Sequence, residues 1–226
     1  MAHVVDTYEL SPMQQGMLVH ALSSPGAGVD IEQIVITLHE RLEIPTFERA
    51  MNDVIRRHPV LRTQFRWGDV DEPCQEVLAE AHLAATVADW SDLTPELAGQ
   101  RFTAYLRTDR RRDFDLSHAP LLRLFVAQFP GDETRVVWTF HHMLGDGRSY
   151  IVLREWFEFY DAALRGETLT LPTSRPYRDY IEWRRTLDLD AAEAFWRAEL
   201  GTFRAPTPFG IDTPRTVGPD DDRFGA

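Results

Sequence analysis

The sequence predicts an α+β fold, a mixed α/β sandwich. Strand-like β-branched segments and amphipathic helical segments follow one another along the chain, and no βαβ unit recurs that would build a doubly wound sheet. A further sign is a pair of apolar runs at residues 121–129 and 135–142. Pro130-Gly131-Asp132 separates them, and the arrangement reads as a hairpin. With 226 residues, 43% of them hydrophobic and 27% charged, the chain can build a core of its own.

Val4–Glu9 is a short β-prone run. Ser11 offers an N-cap and Pro12 a first helical residue, opening a helix expected to bury Met13, Met17 and Leu18. Pro25-Gly26-Ala27-Gly28 ends it. Ile34, Ile36 and Leu38 alternate with Val35 and Thr37 as strand residues do. After Pro45, the residues Phe47, Ala50, Met51, Val54 and Ile55 recur at helical spacing. That helix stops before Pro59, because the residue preceding a proline disfavours the helical region. Residues 61–67 and 75–78 read as strands, and Pro95 opens a helix running toward Arg112. Residues 147–164 carry Ile151, Val152, Trp156, Phe157, Phe159 and Tyr160, apolar on most sides, which predicts a buried helix. Two more helices are expected near 177–187 and 191–200. Residues 1–203 therefore read as one domain. Residues 204–226, where Pro206, Pro208, Pro214 and Pro219 mix with Gly210, Gly218 and Asp220-Asp221-Asp222, read as linker or extended chain.

The net charge is -12, from 36 acidic and 24 basic residues, and every basic residue is arginine. Such a surface matches neither a phosphate backbone nor an anionic lipid, so nucleic acid and membrane partners are excluded. The single cysteine, Cys74, cannot form an internal disulfide and reads as a bland thiol of a reducing compartment. With no long apolar span and no basic-then-apolar N-terminus, the expected location is the cytoplasm. Arg110-Arg111-Arg112 reads as a solvated helix end, an acidic carrier surface being the alternative.

Chemistry concentrates at Trp138-Thr139-Phe140-His141-His142-Met143-Leu144-Gly145-Asp146-Gly147, where an apolar strand ends in two histidines and a short turn leads to a helix. Strand parity places His142 with Phe140 and Trp138, and His141 on the opposite face. A histidine at such a rim can act as a general base near neutral pH. No serine, cysteine or lysine nucleophile accompanies it, which points to direct transfer between two bound substrates. Asp146 suits an N-cap, and Gly147 removes a side chain where backbone or substrate must come close. Adjacent strand residues cannot easily share one ion, so His141, His142 and Asp146 are not expected to bind a metal.

The pattern His141-His142-x-x-x-Asp146-Gly147 resembles the motif of nonribosomal peptide synthetase condensation domains, within the wider chloramphenicol-acetyltransferase-like superfamily. Leu10-Ser11-Pro12-Met13-Gln14-Gln15-Gly16-Met17-Leu18 resembles the opening motif of condensation and epimerization domains. Arg57-His58-Pro59-Val60-Leu61-Arg62-Thr63-Gln64-Phe65 is similar to their second motif. Phe114-Asp115-Leu116 with Pro120-Leu121-Leu122-Arg123 resembles the segment before the histidines, and Tyr177-Arg178-Asp179-Tyr180-Ile181-Glu182-Trp183 the one after them. These motifs stand in family order from about Tyr8 to Leu200.

The resemblance implies the N-terminal lobe of the acetyltransferase-like fold, a mixed sheet covered by helices, with the second lobe missing and residues 204–226 a linker or its beginning. It implies peptide-bond formation between substrates carried on the phosphopantetheine of peptidyl or acyl carrier proteins, with no cofactor bound directly, adjacent synthetase domains as partners, and little activity for a lobe alone. His142 matches the residue taken to accept a proton from the acceptor amine or to position it. His141 matches an architectural position. Asp146 matches a structural aspartate paired with Arg62, a buried pair whose loss in Asp146→Ala would harm folding as much as catalysis. Gly147 matches the glycine beside the substrate region. Tyr177 and Trp183 read as core. The alternatives are an epimerization lobe that deprotonates an α-carbon, a non-catalytic half-domain for carrier docking, and a coenzyme A-dependent acyltransferase. The heterocyclizing branch, with aspartates in place of the paired histidines, is disfavoured.

Overall fold

Strand β7 (Thr134–His141) is buried at all but one position, and the elements around it are placed to cover it. The computed structural model describes residues 3–147 and 150–205. It divides into two units, Met1–Arg185 and Thr186–Ala226. The expected linker lies outside the described residues from residue 206 onward.

In the first unit β7 pairs antiparallel with β2 (Ile31–Leu38) on one side and with β6 (Leu122–Gln128) on the other. The β6–β7 hairpin is the one expected, turning through Pro130–Asp132 with Gly131 at φ 74°. Strand β5 (Ala85–Asp89) adds parallel to β6, giving a mixed four-stranded sheet in the order β2-β7-β6-β5. The sequence pattern does not reveal β5. It is an edge strand whose residues are half-buried or exposed, and its Ala-Thr-Val-Ala-Asp run lacks the apolar content of a strand signal. A separate antiparallel sheet holds β1 (Val4–Glu9), β4 (Cys74–Leu78) and β3 (Thr63–Arg66) in the order β1-β4-β3. Leu61 and Arg62, expected in a strand, instead lie in a 3₁₀ turn that Pro59 opens.

Helix α2 (Ile44–Arg57) buries Phe47, Ala50, Met51, Val54 and Ile55, the stripe its spacing predicts. Helix α4 (Tyr150–Leu164) packs against it, with the Trp156 and Phe47 ring centroids 4.2 Å apart. The Trp156 indole Nε1 donates to the Phe47 carbonyl at 2.9 Å, so the ring is buried without stranding its polar atom. Ile151 is 46% exposed, so α4 is less covered than its composition suggests. Trp138 and Phe140 of β7 join this core. On the opposite face, α3 (Pro95–Arg110) sets Ala98 and Phe102 against Phe125, Ala127, Phe129 and Val137.

Helix α1 (Pro12–Ser23) begins with a capping box in which Ser11 and Gln14 exchange hydrogen bonds. Against expectation Met13 is exposed, and the buried pair is Gln14 and Leu18, spaced i,i+4 on the inward face. Helix α5 (Tyr177–Arg185) packs Ile181 with Tyr8 and Val77. Arg178 pairs with Asp6, and Arg184 and Arg185 reach the two oxygens of Glu9 at 2.8 and 2.9 Å. Tyr177 is half-buried, but Trp183 is exposed and is not core. In the second unit, α6 (Leu189–Leu200) is capped by Asp188 and leaves Phe195 and Trp196 exposed.

One buried ionic cluster ties α2 to α4. Glu155 accepts from Arg57 at 2.9 Å and shares a 2.6 Å hydrogen bond with Nε2 of His58. The His58 Nδ1 meets Ser174 at 3.2 Å, and Arg57 also donates to the Pro172 carbonyl, so the chain after α4 is held across both helices. Removing the carboxylate would leave the Arg57 charge and the His58 ring facing a carboxylate-free interior. Glu155→Ala should therefore lower the unfolding free energy by ~3–5 kcal/mol in urea titration. A loss below about 1 kcal/mol would contradict this reading of the cluster.

Candidate active site

The site forms where β7 runs out. His141 is its last residue, and residues 142–144 follow as a single 3₁₀ turn. The start of the turn is anchored by two backbone bonds: the His141 amide donates to the Leu121 carbonyl at 3.2 Å, and the His142 amide to the Asp30 carbonyl at 2.8 Å. The turn closes on itself at 3.3 Å from the Gly145 amide to the His142 carbonyl.

The two histidines are neighbours in sequence but not in environment. His141 is 3% exposed, and its Nδ1 accepts from the Met143 amide at 3.2 Å, so in the neutral ring the proton sits on Nε2. His142 is half-buried, and its Nδ1 lies 2.8 Å from the Gly145 carbonyl. A carbonyl can only accept, so that nitrogen carries the proton and the Nε2 lone pair is left as the basic atom. The two rings are thus held in opposite tautomers.

His141 lines a cavity of about 250 Å³ together with His20, Asp30, Trp67, Asp113 and Phe114. Burial pushes its pKa down to about 4, with the carboxylates of Asp30 and Asp113 opposing the shift and the His142 ring adding to it. His141 is therefore neutral at pH 7.

The other residues singled out in the sequence fall less tightly around His142. Asp146 and Gly147 are exposed on the rim of the turn. The expected N-cap role of Asp146 bears on residues 148 and 149, which lie outside the described residues. The charge of Asp146 is felt by Tyr177, whose phenol is pushed up chiefly by burial, with Asp146 adding to the shift. The expected buried pair of Asp146 with Arg62 is not formed among the described residues. The Arg62 guanidinium donates instead to the Leu78 carbonyl, its Nε is buried without a partner there, and desolvation is what lowers its pKa. With Asp146 exposed, a folding penalty of Asp146→Ala does not come from a buried pair with Arg62. At Gly147 an added Cβ would meet nothing within 4 Å among the described residues, so the chain itself does not crowd the position.

Two residues of the site, Gln14 and Gln75, carry no signal of their role in the sequence. The side chain of Gln14 donates to the Met143 carbonyl at 3.0 Å and exchanges hydrogen bonds, amide to amide, with Gln75. Periodicity alone would have placed both inward: Gln14 shares a helical face with Leu18, and Gln75 shares a strand face with Val77. Among the described residues, no group of three or more His, Cys, Asp or Glu side chains could hold a metal ion. Cys74 is half-buried, and burial raises its thiol pKa away from reactivity. None of the described helices is long and apolar enough to cross a membrane.

A sandwiched mixed sheet whose central strand ends in paired histidines is the arrangement the motifs implied, and residues 4–220 match the family model described as Condensation domain. The chain belongs to the condensation domain family. It is 39% identical over 221 residues to one of the subunits of linear gramicidin synthase from Brevibacillus parabrevis, covering 96% of this chain and 3% of that protein. To surfactin synthase subunit 3 of Bacillus subtilis (strain 168) it is 34% identical over 207 residues, covering 91% and 16%. The fold superposes on the starter condensation domain of the rhizomide synthetase RzmA with a TM-score of 0.76 at 20% identity, covering 89% of this chain and 51% of that one. The chain thus spans a small part of the synthases it matches and about half of the solved domain.

The His141 environment predicts a pH dependence of stability. The folded pKa lies below the ordinary histidine value of about 6.5, so the unfolded chain binds the extra proton. This contribution is whole above about pH 6.5 and is lost as pH falls toward 4, ~3 kcal/mol in total. His141→Gln should flatten the stability profile over that window in urea unfolding at stepped pH. A slope equal to that of the parent chain would mean the ring protonates equally well folded and unfolded.

Proposed function

We propose that this chain is the histidine-bearing half of a peptide-bond-forming condensation domain. The observation that carries the reading is the His142 ring, held by the Gly145 carbonyl with Nε2 unprotonated at the rim of the turn. In the reaction, the α-amino nitrogen of a carrier-bound acceptor attacks the thioester carbonyl of a carrier-bound donor. A C–N bond forms, the C–S bond breaks, and the donor carrier's thiol leaves. Nε2 of His142 takes up the amine proton, or orients the amine so that its lone pair faces the carbonyl. Asp146 and Gly147 follow on the exposed end of the same turn, His141 is the architectural histidine, and Arg62 supports the neighbouring sheet through Leu78.

The substrates on this reading arrive on the phosphopantetheine arms of peptidyl or acyl carrier proteins, with adjacent synthetase domains and a second lobe as partners, in the cytoplasm. Three facts support it: the relatives are synthase subunits, the chain spans about half of the solved condensation domain, and α1 leaves Met13, Val19 and Leu22 exposed. Alone, this half leaves His142 open to water and without a facing wall to orient two substrates.

The test is reconstitution with the remaining half of the domain and loaded carriers. His142→Ala should slow amide formation by about 10²–10⁴-fold. Turnover at the parent rate in that variant would remove His142 from the mechanism.

A further inference from the structure

The opening motif around α1 has no part in the chemistry above, yet one of its side chains reaches the histidine turn. We propose that Gln14 is a positioning residue for His142, acting through the Met143 carbonyl; this rests on reading His142 as the base. Gln14 is 3% exposed, and a buried primary amide is tolerated only where its donors and acceptor are used. They are used. Its Oε1 accepts from the Ser11 amide at 2.9 Å and from Gln75 Nε2 at 3.1 Å. Its Nε2 donates to the Met143 carbonyl at 3.0 Å and lies 3.3 Å from Gln75 Oε1. Gln75 is fully buried and is itself fixed by donating to the Glu9 carbonyl at 2.9 Å.

The cap of α1 needs only the oxygen of Gln14. The nitrogen is committed to a carbonyl 129 positions away, in the residue that follows His142. Met143 is itself 3% exposed, so its carbonyl would lose a buried partner with the amide. The peptide planes of the turn are coupled. Met143 gives its N–H to His141, Gln14 holds its C=O, and the Gly145 carbonyl two residues on fixes the His142 ring. Freeing the Met143 carbonyl lets the turn rotate toward another donor and carries the Gly145 carbonyl away from Nδ1 of His142. The predicted effect is a loss of tautomer control, with the base misoriented and not removed.

The experiment reads the imidazole nitrogens of the 226-residue chain by ¹⁵N NMR above the histidine pKa, without any turnover. In the parent chain His142 should show a protonated Nδ1 and an unprotonated Nε2. Gln14→Met keeps the length but offers no donor, and its His142 signals should move toward an average of the two tautomers. Ser11→Ala weakens the same helix end while sparing the Met143 contact, and should leave the His142 signals in place. If Gln14→Met does not fold, Gln75→Met removes the amide that clamps Gln14 and should shift His142 in the same direction. In the complete synthetase, Gln14→Met should lower kcat about 10- to 100-fold with KM for the loaded carriers little changed. Parent-like His142 nitrogens in whichever of the two glutamine variants folds would overturn the positioning role. A His142→Ala variant that still condenses would overturn the function reading instead, so the two fail separately.

Discussion

The structure depends on the burial of β7. A strand with neighbours on both edges and helices on both faces has its backbone paired on both sides and all but one of its side chains buried, so its end is held to a fixed place. A reacting group gains from such an anchor because small displacements are costly to catalysis. Here the strand delivers its last residue, His141, into the interior and releases the next, His142, at the rim. The site is the first turn of chain beyond a rigid element.

What distinguishes the two histidines is what their ring nitrogens meet. One imidazole accepts a backbone N–H, is buried, and is held neutral by desolvation. The other donates to a backbone carbonyl and keeps a lone pair at the rim. Burial favours the neutral ring of His141. The ring of His142 is only half-buried, and its Nδ1 is held by the Gly145 carbonyl. The glutamine amides extend the same logic, because a buried amide with all its partners is rigid, and it passes that rigidity to whatever it touches.

The stability of the unit is distributed differently. The α2–α4 contact is both aromatic, through Phe47 and Trp156, and ionic, through Glu155 with Arg57 and His58. Helix α5 meets β1 through Ile181 packed on Tyr8 and through arginine–carboxylate pairs around Asp6 and Glu9. A chain whose cations are all arginine suits such forked contacts, since guanidinium matches a carboxylate with two parallel donors.

Local pattern was enough for α2, whose five-residue apolar stripe is buried as read, and for the β6–β7 hairpin. Those features follow from residue spacing, because side-chain direction along a helix or strand is set by backbone geometry. Position His142 was legible from the motif. The free nitrogen on its ring was not, because the tautomer depends on a carbonyl three residues on whose direction the turn decides. Edge strand β5 was invisible because its pairing with β6 is made by partners far along the chain. Arg62 and Asp146 looked like partners from their motifs, yet the fold sends the guanidinium to Leu78 and leaves the carboxylate exposed. Gln14 was in plain view as a residue and silent as a function, since the carbonyl it holds is 129 positions away. The sequence by itself determined most of the elements, the family and the paired histidines at the strand end, all properties of short stretches. Only the tertiary structure decided which nitrogen is basic and what holds it there, because those depend on hydrogen bonds that exist once distant segments meet.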